Sequence, residues 1–340
     1  MNSSQVSKML VRAHQAGLVP FIKGSPGIGK TAVIHEFARK YKLKVLDLRL
    51  GQSDPTDLLG FPCVENNRAS YVPPIDIPIE GDEIPEGYEG WILFLDEMNA
   101  AVKAVQAAAY KTIDRMVGQS KIHPRVFIVA AGNLDTDGAI VNTMSSATIS
   151  RIMHATMVAS LVDWTKWAMS AGIDTRIISF VNWKKDLFYK FNPANLREPF
   201  PCPRTWHNTS KYIIGYDVSV GDDLESISGI VGSGAAREFL EYCEVFRELH
   251  TIEQIMADPT GISVPSEPAT RWAMCSHVAD NMVPKNADVL MQYITRLPVE
   301  FQIIAIQSAF QRDPHLTQVQ SVMDWIMKYA ADIGSAYLNQ

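Results

Sequence analysis

The stretch Gly24-Ser25-Pro26-Gly27-Ile28-Gly29-Lys30-Thr31 decides how the rest of this chain is read. It is an unbroken GxxxxGK[ST] pattern. Before it lies a strand-like run, Leu18 to Lys23, and after it a segment, Lys30 to Tyr41, in which Val33, Ile34, Phe37, Ala38 and Tyr41 recur at helical spacing. Glycines let such a loop curl until successive N–H groups face phosphate oxygens, and the helix that follows adds the favourable end of its dipole. Lys30 supplies a mobile cation for the β- and γ-phosphates, and Thr31 a hydroxyl ligand for Mg2+.

Working outward, Lys44 to Leu48, Trp91 to Leu95, Arg125 to Ala131 and His154 to Val158 read as further strands, while Val102, Val105, Ala109, Ile113 and Met116 mark one helix face. Strands alternating with helices indicate an α/β fold on a parallel sheet. Residues 51–89 interrupt that rhythm with Pro62, Pro73, Pro74, Pro78 and Pro85. The turn dipeptide Asn66-Asn67 predicts a β-hairpin insertion there, either protruding or folded back over Phe61 and Tyr71.

From Leu161 the strand signal fades. Residues 163–171, 176–182, 204–214, 235–249 and 269–282 read as helices, and 287–297, 299–311 and 317–330 as a terminal helical bundle. The expected organisation is an α/β core over 1–160 followed by two helical regions, 161–265 and 266–340. Trp164, Trp167, Trp183 and Trp206 read as packing residues of the helical part rather than as a platform for bases.

Composition narrows the field further. With 47% hydrophobic and 20% charged residues the chain is that of a globular protein, and its apolar runs are too short to cross a bilayer. Lys plus Arg (31) against Asp plus Glu (37) gives a net charge of −6, which disfavours a surface that tracks nucleic acid throughout. The first residues hold no signal-peptide core, so a cytoplasmic protein is expected. Cys63, Cys202, Cys243 and Cys275 form no CxxC pair, and the eight histidines are dispersed, which argues against a zinc site.

Two further places carry chemistry. The run Trp91 to Leu95 ends in Asp96-Glu97, and a buried parallel strand delivers its last side chains to the carboxyl edge of the sheet, where the glycine loop also sits. Asp96 is expected to hold Mg2+ through water and Glu97 to orient or deprotonate the attacking water. Two acids capping the next helix are an alternative reading. The strand Val126 to Ala131 runs into Gly132-Asn133, whose amide offers a donor and an acceptor to a water and a γ-phosphate oxygen.

In order, GSPGIGKT, WILFLDEMN, VAAGN, ATISRI and PCPRTW closely resemble the motifs of AAA+ ATPases, specifically the MoxR-like branch of the helix-2-insert clade. GQSDPTDLLGFP resembles that branch's insertion, LVDWTKWAMSAGI the entry to its lid, and IVGSGAAREFL and YITRLPVEFQIIAI segments of a bacterial and phage group. The resemblance implies ATP and Mg2+ as cofactors and a ring, usually a hexamer, with ATP between neighbouring subunits. It implies that Arg151 is the arginine finger, Asn133 the first sensor and Arg204 the sensor arginine of a lid spanning 161–265. Many relatives have an acid before the finger and Phe after it, where this chain has Ser150 and Ile152.

The function expected from this resemblance is remodelling or maturation of a partner protein, with an adaptor carrying a von Willebrand factor A domain. A nucleic-acid motor or helicase loader is the second reading, although no zinc ribbon, winged-helix pattern or basic tail is present. A nucleotide-gated scaffold with little turnover is the third. Arg151 and Arg204 as ordinary ion-pair residues remain open at this stage.

Overall fold

The structure is a computed structural model that describes residues 1–65, 67–138, 141–195 and 197–338, with side chains for all of these except 65 and 330–338. Asn66 of the expected turn lies outside the described residues. The chain divides into two compact units, Met1–Ser160 with Asn192–Leu196, and Leu161–Phe191 with Arg197–Gln340.

The first unit opens with α1, Ser3–Ala16, a helix that precedes the first expected strand. Its signals are nevertheless local: Asn2 and Gln5 form a capping box, Val6, Met9, Leu10 and Ala13 bury one face, and Gly17 closes the end in the left-handed conformation. Then come β1 (Val19–Lys23), α2 (Lys30–Lys40), β2 (Leu43–Arg49), α3 (Thr56–Leu59), β3 (Phe61–Glu65) and β4 (Arg68–Val72). After these follow β5 (Gly90–Asp96), α4 (Lys103–Ile113), β6 (Met116–Val117), β7 (Ser120–Lys121), β8 (Val126–Gly132), α5 (Ser146–Ile149) and β9 (Ile152–Thr156).

Five of these strands form one parallel sheet in the order β2-β5-β8-β1-β9. Every residue of β8 and all but the last of β5 are buried, which is why both read as continuous apolar runs. The last strand begins at Ile152, two residues before the expected His154, because Ile152 and Ala155 supply its buried positions. Helix α4 is shorter than its apolar spacing suggested: Val105, Ala109 and Ile113 are buried, but Val102 is the exposed N-cap and Met116 belongs to β6.

The insertion is an antiparallel hairpin of β3 and β4, registered Phe61 to Val72 and Cys63 to Ser70. It does not fold back over its aromatic residues, since Phe61 is 68% and Tyr71 42% exposed.

The second unit is helical: α6 (Leu161–Ser170), α7 (Thr175–Trp183), α8 (Pro203–Ile213), α9 (Val220–Val231), α10 (Ser233–Arg247), α11 (Ile252–Ala257), α12 (Pro268–Asn281), α13 (Ala287–Ile294), α14 (Val299–Arg312) and α15 (Gln320–Leu338). Helices α9 and α11 were not expected. Helix α7 packs against α10 and α12, and α14 packs against α12 and α6. Phe180 lies edge-on to Trp206 and Phe239 at 5.5 and 5.4 Å, and the Trp206 indole N–H donates to the Leu187 carbonyl at 2.9 Å. Trp206 is thus a core residue whose polar handle is satisfied. Among the described residues no helix is long and apolar enough to cross a membrane.

Candidate nucleotide site

Strand β1 ends at Lys23 and α2 begins at Lys30, so the loop from Gly24 through Ser25, Pro26, Gly27 and Ile28 to Gly29 turns from the carboxyl edge of the sheet straight into a helix N-terminus. Gly29 is the N-cap of α2 with φ 100°, a conformation that side chains rarely adopt. The ammonium of Lys30 donates to the carbonyls of Gly24 and Ser25, at 2.5 and 3.1 Å, and to Asn133 Oδ1 at 3.3 Å. The Thr31 hydroxyl donates to Asp96 Oδ2 at 3.4 Å. Strand β8 lies between β1 and β5, so these contacts draw together the ends of three adjacent strands.

Glu97 follows Asp96 with φ 55° and donates its N–H to Asp96 Oδ1 at 2.9 Å. This left-handed turn separates the two neighbouring carboxylates: Asp96 meets Thr31, whereas Oε2 of Glu97 lies over Gly51. Both acids are half-buried.

Asn99 joins the candidate site without belonging to the glycine loop, the Asp96-Glu97 pair or the Gly132-Asn133 turn. It is 2% exposed, and its side-chain amide donates to the Asn133 carbonyl at 2.8 Å while accepting the Asn133 N–H at 3.1 Å. These two bonds hold the backbone of Asn133 and so aim its side chain. Gly132 makes this possible, because a Cβ there would collide with the Asn99 carboxamide and with the Phe21 ring. Asn99 is fixed in turn by Asn142, whose N–H donates to its carbonyl at 2.7 Å.

The edge is electronegative around Asp96. The Asp47 carboxyl on β2 is held above its usual pKa, first by partial burial and then by the charge of Asp96. Among the described residues no group of three or more His, Cys, Asp or Glu forms a metal cage. One hydroxyl and one carboxylate, to be completed by phosphate oxygens and water, is the sparse oxygen set that Mg2+ takes in nucleotide sites. The donors therefore fit Mg2+, with Thr31 and Asp96 as the protein's share.

Arg151 is not part of this cluster. It immediately precedes β9, whose first residue, Ile152, is registered with Val19 at the start of β1, whereas the glycine loop follows the end of β1. The length of a strand, about 13 Å, separates the two positions. Arg151 instead donates from Nε to Asp114 Oδ1 at 2.9 Å and from NH1 to the Ala147 carbonyl at 3.1 Å, and its guanidinium lies 4.6 Å from the Tyr110 ring centre. Arg204 belongs to the second unit, exposed on the first turn of α8.

Residues 20–152 match the family described as AAA domain (dynein-related subfamily). That span holds the whole loop, Asp96, Glu97, Asn99, Asn133 and Arg151, and it is an AAA+ ATPase domain, the class that the sheet and the site define. Among solved structures the chain is similar to a point mutant of Thermotoga maritima RuvB, with 17% identity over 70% of this chain and 67% of that one and a TM-score of 0.37. It is similar also to a second point mutant of that protein, at 16% identity, 86% of each chain and a TM-score of 0.39. Brucella abortus NtrX in complex with ADP is 13% identical over 96% of this chain and 67% of that one, with a TM-score of 0.38. No curated protein matches the sequence.

Proposed function

We propose that this protein is a MoxR-like AAA+ ATPase that assembles as a ring, with six subunits the expected number, and couples Mg2+-dependent ATP hydrolysis to remodelling or maturation of a partner protein. One observation carries the reading: Lys30, Thr31, Asp96 and Asn133 meet at one edge of the sheet, while Arg151 stands at the other. An arginine so placed is suited to the nucleotide of a neighbouring copy rather than to its own.

In this reading the loop N–H groups and Lys30 bind the phosphates, and Thr31 and Asp96 hold Mg2+. Bound there, the ion would neutralise charge on the transferring phosphoryl group. Glu97 orients or deprotonates the attacking water, and Asn133, aimed by Asn99, hydrogen-bonds that water or a γ-phosphate oxygen. Arg151 from the neighbour adds a planar cation where charge builds up. Residues 161–265 act as the lid, with Arg204 as its sensor, and 266–340 as a helical extension. Contact with a protein client is supported by exposed apolar residues of the insertion, Val64 at 78%, Val72 at 54% and the nearby Ile75 at 98%; an adaptor with a von Willebrand factor A domain rests on the resemblance to the MoxR-like branch.

The test is Glu97→Gln. ATP binding should persist while turnover falls about 10²- to 10⁴-fold. Undiminished hydrolysis would remove Glu97 from the mechanism, and stimulation by DNA that weakens steeply with salt would favour a nucleic-acid motor instead.

A further inference from the structure

We propose that Tyr110 and Asp114 are positioning residues, a mount on the last turn of α4 that holds the Arg151 guanidinium oriented toward the next subunit's nucleotide; this rests on the reading of Arg151 as a residue that acts on a neighbour. Tyr110 lies in the last turn of α4 and Asp114, four positions on, is its C-cap, so the two fall on the same side of the helix end. The tyrosine ring lies 4.6 Å from the guanidinium carbon, and the aspartate takes its Nε hydrogen at 2.9 Å. A third contact, NH1 to the Ala147 carbonyl at 3.1 Å, fixes the rotation of the group.

A guanidinium has five N–H donors in a planar fork. These contacts use one on Nε and one on NH1, which leaves both hydrogens of NH2 and the second of NH1 for the outer edge that can grip two phosphate oxygens.

The mount is itself anchored. Arg115, held at φ 63°, donates to the carbonyls of His123 and Val126 at 2.8 and 3.1 Å, which ties the end of α4 to the start of β8. A long side chain pre-set in this way need not lose its rotamer freedom when subunits meet.

The full-length protein, assembled with ATP, tests this by steady-state hydrolysis. Asp114→Ala and Tyr110→Leu should each lower kcat about three- to tenfold, the range set by a half-exposed ion pair and a cation–π contact, without raising KM for ATP. Tyr110→Phe should restore most of the loss of the leucine variant. Asp114→Asn, which keeps the size and an acceptor oxygen, should fall between wild type and alanine and guards against a folding defect. In an Arg151→Ala background neither substitution should lower kcat further. Full activity in Asp114→Ala and Tyr110→Leu, beside a crippled Arg151→Ala, would overturn the mount while leaving the finger intact. A further loss in the Arg151→Ala background would also overturn it, by showing a structural role. An active Arg151→Ala protein would overturn both readings.

Discussion

The two edges of the parallel sheet are built differently. At the carboxyl edge the side chains of the candidate site touch one another: Lys30 reaches Asn133, Thr31 reaches Asp96, and Asn99 grips the backbone of Asn133. At the amino edge Arg151 is turned outward, 40% exposed, and its side-chain partners are a tyrosine and an aspartate that lie outside the nucleotide cluster. A set of groups that converge can make a binding site alone. A single cation on a fixed seat, remote from that site, is useful only to something that approaches it.

The largest expected effect tests that contrast directly. Arg151→Ala should slow turnover by about 10³- to 10⁵-fold at unchanged ATP affinity, and in mixed assemblies it should depress the activity of wild-type subunits below simple proportion. Activity strictly proportional to the wild-type fraction would mean that both edges serve one chain. Next comes Asn99→Ala, which takes the side-chain partner from the N–H and carbonyl of Asn133 in a half-buried place. A stability loss of about 1–3 kcal/mol in denaturant titration should accompany slower turnover; a loss of stability alone would make the clamp purely structural.

The smallest effect concerns the amino edge. His14, packed on Phe127 with ring centres 4.8 Å apart, has its pKa lowered by burial first and then by Arg125. The unfolded chain therefore takes up this proton near pH 6.5 while the folded chain resists it until lower pH. The contribution of His14 is present above that value and is lost as the pH falls below it. Thermal melting of wild type should shift downward on acidification more than that of His14→Leu, and equal shifts would show that His14 does not report on this edge.

Much of this arrangement was legible in the residues because it is written locally. The glycine loop, the run into Asp96-Glu97 and the run into Gly132-Asn133 each announce a strand and its last side chain in one short stretch. Helix α1 is equally local, with its Asn2 and Gln5 capping box and the buried face of Val6, Met9, Leu10 and Ala13, but it carries no nucleotide motif. The clamp was not legible, since Asn99 acquires its role from a backbone 34 positions away, in Asn133. Asp114 likewise meets Arg151 across 37 positions. The exposure of Phe61 and Tyr71 was undecided for another reason: Phe61 is registered with Val72 and Tyr71 with Pro62, so the two aromatic residues lie on opposite faces of the hairpin, and alternation does not record whether either face is covered.

The left-handed turn at Glu97 has a consequence of its own. A glycine or asparagine would rest there more comfortably than a glutamate, by about 1 kcal/mol in a relaxed backbone. Selection for heat resistance alone would therefore drift away from the acid, and a thermostable descendant with Gly or Asn at this position would be a sturdier protein without the carboxylate proposed to activate water.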